Sequence, residues 1–210
     1  MNNVRTLLPP LFQDFGPSSS LETAIAENRW IATVNLWILQ TEPVPSILYQ
    51  QRSMNKSWAP GKLDVVAGGK VDEGESLIET LLRETKEEIG LDVPPSACTY
   101  IGKRLHVGET QYGFQNTVLN LYFTVNNQPL SEYVLQKEEV AGIYNLDIDQ
   151  LLKLHRGELE SFWATGLDDS GSESKINVTP ALFPENWDNY HQKIAELAKK
   201  YFEGVADIVY

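Results

Sequence analysis

The sequence predicts an α/β fold. Three observations carry this: apolar, β-branched runs such as Ile31 to Gln40 and Leu63 to Ala67 read as strands, Leu77 to Ile89 has apolar residues at helical spacing, and strand-like text resumes after it. With 210 residues, 42% hydrophobic and 22% charged, the chain has the make-up of one substantial globular domain with attachments.

Taken in order, residues 1–28 hold Pro9, Pro10, Gly16, Pro17 and Ser18 to Ser20, which punctuate structure, and are expected to form an arm. Ile31 to Gln40 and Ile47 to Arg52 read as strands joined by a proline-bearing turn, a pair suited to a hairpin. Leu63 to Ala67 suits a buried strand ending on Gly68 and Gly69, with a tight loop after it. The helix from Leu77 to Ile89 has Ile78, Leu81, Leu82, Thr85 and Ile89 on one side and Gly90 to stop it. Tyr100 to Val107 and Thr117 to Val125 read as strands around a Gly-bearing bend, Gly142 to Leu146 as another, and Ile148 to Leu154 as a short helix. Gly166 to Ser174 reads as a polar loop, and Trp187, Tyr190, Ile194, Leu197 and Tyr201 mark a terminal amphipathic helix stopped near Gly204. The expected division is an arm over 1–28, a catalytic-type domain over 29–160, and a C-terminal extension with its helix over 161–210.

The formal net charge of -12 weighs against a general nucleic-acid binder, because affinity for a phosphate backbone comes chiefly from clustered Lys and Arg. A small anionic ligand would be met locally, by a few basic residues or a metal. A single cysteine, Cys98, excludes an intramolecular disulfide and points to a reducing compartment. Met1 to Pro10 lacks a cationic-then-apolar leader, and the longest apolar run, Ile31 to Leu39, is broken by Thr33 and Asn35. The expectation is a soluble cytoplasmic protein without a membrane segment.

Chemistry concentrates on the first long helix. Glu84, Glu87 and Glu88 stand three and four residues apart, which brings their carboxylates within reach of a common centre. Alone, such a triplet is a solvated acidic helix face. Directly before the helix, however, lies Gly68-Gly69-Lys70-Val71-Asp72-Glu73-Gly74-Glu75, a strand end and a Gly-bearing loop that lets backbone groups approach a ligand closely. Carboxylate oxygens suit Mg²⁺ or Mn²⁺, so loop and helix together suit a metal-diphosphate cradle.

Gly69, five residues, Glu75, seven residues, and then Arg83-Glu84-Thr85-Lys86-Glu87-Glu88-Ile89-Gly90-Leu91 resemble the Nudix box. The departure is Thr85, where the family carries an aliphatic residue; a buried threonine is tolerated if its hydroxyl returns to a helical carbonyl. The resemblance implies the Nudix α/β/α sandwich with a mixed β-sheet. It makes Glu84, Glu87 and Glu88 metal ligands together with the carbonyl of Gly68, and gives Arg83 and Glu75 the task of orienting them. It further implies Mg²⁺ or Mn²⁺ as cofactor, water attack on a phosphoanhydride in a small diphosphate substrate such as a nucleoside diphosphate derivative, and a homodimer.

Upstream, Gln51-Arg52-Ser53, Lys56, Trp58, Pro60-Gly61 and Leu63-Asp64 are similar to the same segment in the isopentenyl-diphosphate isomerase-like branch. Gly68 and Lys70 fall where that isomerase carries its cysteine and histidine, and no histidine precedes His106, so the isomerase chemistry lacks its parts. The segment suits phosphate recognition by Arg52 and Lys56, with Lys70 beside them, the alternative being that Arg52 and Lys56 are two solvated strand-end cations. The alternative to a hydrolase is a Nudix-fold ligand sensor without turnover, which need not keep all three glutamates. Glu138 and Glu139, in a segment that resembles the acidic loop before the last core strand, are the candidates for the water-activating base. His106, His155 and His191 have no ligand spacing among them and are expected to have ordinary roles, while Trp58, Tyr112 and Phe114 suit either stacking or the core.

Overall fold

Residues 3–7, 15–110, 112–185 and 188–210 are described by the structure, a computed structural model. The N-terminal segment carries more structure than its composition suggests. Strand β1 (Thr6–Leu7) pairs antiparallel with the next strand at Ile31 and Trp30. Helix α1 (Leu21–Ala26) starts where the Ser20 hydroxyl accepts the Thr23 N–H, and it buries Ala24 and Ile25 against Val4 and Ile31. Pro9 and Pro10 lie outside the described residues.

The expected strand pair forms as β2 (Trp30–Gln40) and β3 (Ser46–Arg52), an antiparallel hairpin with Ile38 opposite Leu48. The single strand expected over Leu63 to Ala67 is two: β4 (Leu63–Val65) pairs with β3, and β5 (Ala67–Lys70) crosses to β2. Gly68 and Gly69, where the strand text is expected to end, lie opposite Asn35 and Val34 in the ladder, and the strand runs one residue further, to Lys70. Backbone pairing to β2 accounts for this, since it needs no side chain from either glycine. Helix α2 (Leu77–Ile89) follows, then the hairpin β6 (Thr99–Thr110) and β7 (Gly113–Val125). These two strands are longer than their apolar text, because their polar tips continue the ladder up to Thr110 opposite Gly113. Strand β8 (Val140–Asp147) leads into α3 (Ile148–His155), which Asp147 caps by accepting the Gln150 N–H.

Residues beyond 160 extend the same sheet. The polar loop expected from Gly166 to Ser174 shrinks to a turn between β9 (Phe162–Asp168) and β10 (Glu173–Val178), antiparallel partners with Gly166 opposite Ser174. The terminal helix α4 spans Tyr190–Phe202; Trp187, expected to belong to it, lies outside the described residues. The sheet order is β10-β9-β8-β3-β2-β7-β6, with β1, β4 and β5 joined at its side, and β2 runs parallel to β7 within an otherwise antiparallel arrangement among the described residues.

Alternation along the strands sends side chains to two cores. On one face Trp37 and Leu39 of β2, Ile47 and Tyr49 of β3 and Leu146 of β8 pack with α3 and α4 through Leu151 and Ile194. On the other, Leu36 and Ile38 of β2, Leu48 of β3 and Ile143 of β8 pack with α2 through Leu81 and Ile89. Helices therefore cover both faces of a mixed sheet, the expected α/β/α sandwich. A buried ion pair ties the C-terminal segment down: Arg104 of β6 grips Asp188 with two hydrogen bonds, at 2.8 and 2.9 Å. Removing one partner of such a pair costs about 3–5 kcal/mol, because the other charge stays buried. Among the described residues, no helix is long and apolar enough to cross a membrane.

Candidate active site

Helix α2 is fixed at both ends. Ser76 and Glu79 form a reciprocal capping box, and Gly90 ends the helix at φ 71°, donating its N–H to the Lys86 carbonyl. Thr85, the departure from the Nudix box, is fully buried and donates its hydroxyl to the Leu81 carbonyl at 2.6 Å, so no polar group is stranded.

One guanidinium organises the acidic face. Arg83 donates Nε and Nη2 to the two carboxylate oxygens of Glu75 at 2.8 and 3.0 Å, and Nη1 to Glu84 at 2.9 Å and Glu87 at 3.1 Å. Thr80 adds a hydrogen bond to Glu75. The Arg83 hydrogen bonds hold the Glu75 carboxyl down at about 2, and Arg83 stays protonated. A single side chain thus hydrogen-bonds three carboxylates. Among the described residues no three acidic, His or Cys side chains are gathered closely enough to hold a metal ion as they stand; Glu84 and Glu87 both face Arg83.

Glu88 is set apart from its neighbours. It is 7% exposed, and among the described residues its carboxylate accepts only long hydrogen bonds, at 3.4 Å, from the Gln50 side chain and from the Gly68 N–H. Burial, with Glu84 and Glu139 close by, pushes its pKa up to about 8. Burial also raises the Glu84 carboxyl. A buried carboxylate with two acidic neighbours and no basic side chain bonded to it fits a hard divalent cation, which takes oxygen ligands. The glycines make room for this cluster: a Cβ on Gly69 would overlap the Glu84 carboxylate, and one on Gly68 would come within 2.5 Å of the Val34 carbonyl oxygen.

Glu88, Gly68, Gly69 and the three expected phosphate-binding cations, Arg52, Lys56 and Lys70, line one cleft of about 740 Å³. Arg52 and Lys56 each have partners within the fold. Arg52 donates to the Trp58 carbonyl and to buried Asp64, and its guanidinium lies 5.0 Å from the Trp58 ring centre. Lys56 is ion-paired with Glu139. Burial, helped by Lys56, lowers the Lys70 pKa. Of the two base candidates, Glu139 therefore belongs to the charge cluster around Glu88, whereas Glu138 is exposed. Trp58 and Tyr112 line the cleft; Phe114 is exposed.

Sequence reasoning missed part of the cleft. Gln50 was legible only as strand text, yet it contacts Glu88, and Asp64, noted only as part of the isomerase-like segment, is a buried carboxyl whose pKa is raised by burial. His106 and His191, distant in sequence, line the same cleft, and His155 stacks on His191 with ring centres 6.3 Å apart.

The NUDIX domain family model matches residues 30–163. An uncharacterized Nudix hydrolase from Clostridium acetobutylicum is 30% identical over 141 residues, 65% of this chain and 66% of that one. Nudix hydrolase 3 from Arabidopsis thaliana is 32% identical over 114 residues, 52% of this chain and 15% of that one. The match thus spans less than two thirds of the length of either relative. The fold is shared with the crystal structure of a MutT/nudix family protein from Enterococcus faecalis, with a TM-score of 0.53 at 16% identity over 82% of this chain and 62% of that one. With the family model covering residues 30–163 and the box residues drawn together on α2 and β5, the chain belongs to the Nudix family.

Proposed function

We propose that the protein hydrolyses a phosphoanhydride bond of a small diphosphate-bearing substrate, with Mg²⁺ or Mn²⁺ as cofactor. The observation that carries this reading is the cleft itself, which a buried acidic residue, Glu88, lines together with three basic residues, Arg52, Lys56 and Lys70. Glu84, Glu87 and Glu88 would hold the cation, with the Gly68 backbone beside them. Bound there, a divalent cation neutralises the diphosphate and makes water more acidic. Arg52 and Lys56 bind phosphate oxygens, the first by a planar fork and the second as a point charge, and Lys70 adds a third positive group. Because Lys56 is paired with Glu139, an arriving phosphate competes for Lys56 and leaves Glu139 to accept a proton. Water oxygen then forms a bond to phosphorus, the anhydride P–O bond breaks, the proton passes to Glu139, and a phosphate leaves.

Turnover by the purified protein should be measured with nucleotide sugars, dinucleotides, nucleoside di- and triphosphates and prenyl diphosphates, in Mg²⁺ and in excess chelator. At least one diphosphate should be cleaved with Mg²⁺, and cleavage should stop in chelator. Absence of turnover across the panel would favour a binding module instead.

Arg83→Lys should lower kcat/KM by about 10–100-fold, the usual effect of disturbing groups that orient metal ligands. Lysine keeps the charge but cannot hold Glu75 with two parallel bonds while reaching Glu84 and Glu87. A higher Mg²⁺ concentration should recover part of the loss, as a Mg²⁺ titration of rate would show; wild-type kinetics in the variant would remove Arg83 from the site.

A further inference from the structure

Residues 3–5 and 18–19 lie before the family-matched segment, yet they form a small ladder against the loop that leads from β5 into α2. Val4 stands opposite Asp72 on one side and Ser19 on the other. The Arg5 N–H donates to the Val71 carbonyl at 2.8 Å, the Glu73 N–H donates to the Asn3 carbonyl at 3.0 Å, and Val4 and Ser19 exchange two backbone bonds. Side chains reinforce the backbone: the Ser18 hydroxyl donates to one oxygen of the Glu73 carboxylate and the Asn3 amide to the other. These bonds, that of Ser18 above all, hold the Glu73 carboxyl below its usual range. Val4 is 4% exposed and packs with Ala24 and Ile25 of α1 and with Ile31 of β2, which anchors the ladder in the fold.

The loop held in this way is the one that carries the ligand-orienting groups. The Asp72 carbonyl accepts the Glu75 N–H at 3.1 Å, and the Glu75 carboxylate is bonded by Thr80 and Arg83. The Asp72 carboxylate itself lies 4.0 Å from the Arg83 guanidinium, which also bonds Glu84 and Glu87. A continuous series of contacts therefore runs from Val4 through Asp72 and Glu75 to Arg83 and two acidic residues of the cation site. Between them Glu73 and Gly74 are exposed, and Gly74 stands at φ 90°. Glycine permits that conformation without enforcing it, so the shape of the loop depends on what the loop pairs with. A loop without such a partner would leave its ordering to be done at the moment the cation binds, at a cost in affinity.

We propose that the N-terminal ladder is a positioning element for the cation site: the side chains of Asn3 and Ser18 and the backbone of residues 3–5 fix Asp72 and Glu73, and through Glu75 and Arg83 they hold Glu84 and Glu87 in place. This rests on the metal-dependent hydrolase reading, so the test reads metal binding and loop order, not turnover. The probe is Mn²⁺ alone, its free fraction counted by electron paramagnetic resonance, with amide hydrogen exchange followed separately in chelator. The double variant Asn3→Ala/Ser18→Ala removes both side-chain bonds to Glu73 and leaves buried Val4 in place. Exchange at the Glu73 and Glu75 amides should rise by about threefold to tenfold, the net worth of one hydrogen bond. The Mn²⁺ dissociation constant should rise by about threefold to tenfold, less than the 10–100-fold of a group that touches a ligand directly. Ser18→Thr, which keeps the hydroxyl, should match wild type in both readouts. Ser20→Ala removes the cap of α1 without touching the loop, and should leave Mn²⁺ affinity unchanged. Unchanged exchange or unchanged Mn²⁺ affinity in the double variant would overturn the positioning role, as would equal weakening by Ser20→Ala. Failure of the metal reading would appear instead in the wild type, as no Mn²⁺ bound, and would remove this inference with it.

Discussion

Glu88→Gln is expected to lower kcat by about 10³-fold while leaving the metal-free protein at least as stable as the wild type, several kcal/mol of transition-state stabilisation being what a catalytic cation supplies. The two halves of the expectation have one cause. Glu88 is a buried carboxylate beside Glu84 and Glu139, with only long hydrogen bonds from Gln50 and Gly68. Without a cation the carboxyl, its pKa pushed up to about 8, must hold in the folded state a proton that the unfolded chain releases at neutral pH, which opposes folding; with a cation it is a ligand. Glutamine keeps the shape and can still accept the Gly68 N–H, so that cost goes and the cation site goes with it. Steady-state kinetics and thermal unfolding in chelator check both halves. Near-normal turnover at saturating Mg²⁺ would show that Glu88 is not part of the reaction centre.

Glu139→Gln is expected to cut the single-turnover rate at saturating substrate by about 10²–10⁴-fold, the range for a general base, with substrate and metal binding within a few-fold of wild type. Glu138→Gln should stay close to wild type. The distinction comes from placement: Glu139 pairs with Lys56 at the edge of the cleft and lies near Glu88, whereas Glu138 is exposed. Because Lys56 loses its partner in the variant, Glu139→Asp serves as a control that keeps the charge, and it should retain more activity than the glutamine variant. Unchanged rates in both Glu138→Gln and Glu139→Gln would return the proton to Glu84.

What was legible in the sequence was what is local in the chain. The box residues lie within one strand-to-helix unit, so spacing alone puts Arg83, Glu84, Glu87 and Glu88 on α2, and the Thr85 hydroxyl finds the carbonyl that a buried helical threonine needs. The far wall of the cleft was not legible, because it joins β6 to a segment 84 residues later through Arg104 and Asp188. No spacing rule couples such positions. His155 and His191 show the same limit, being separate in sequence and stacked in space. Gly166 to Ser174, the inner part of the β9–β10 hairpin, was read as a loop for a different reason. It lies at the sheet's end, where Trp163, Glu173, Lys175 and Asn177 are exposed, and its polar, Gly-bearing text resembles a connection.

The central claim is that a divalent cation sits against Glu88 in the cleft. Anomalous diffraction from crystals grown with Mn²⁺ tests it most directly. A peak in contact with the Glu88 carboxylate, and shared with Glu84 or Glu87, is the expected result; full Mn²⁺ occupancy elsewhere in the crystal with no peak at Glu88 would contradict it.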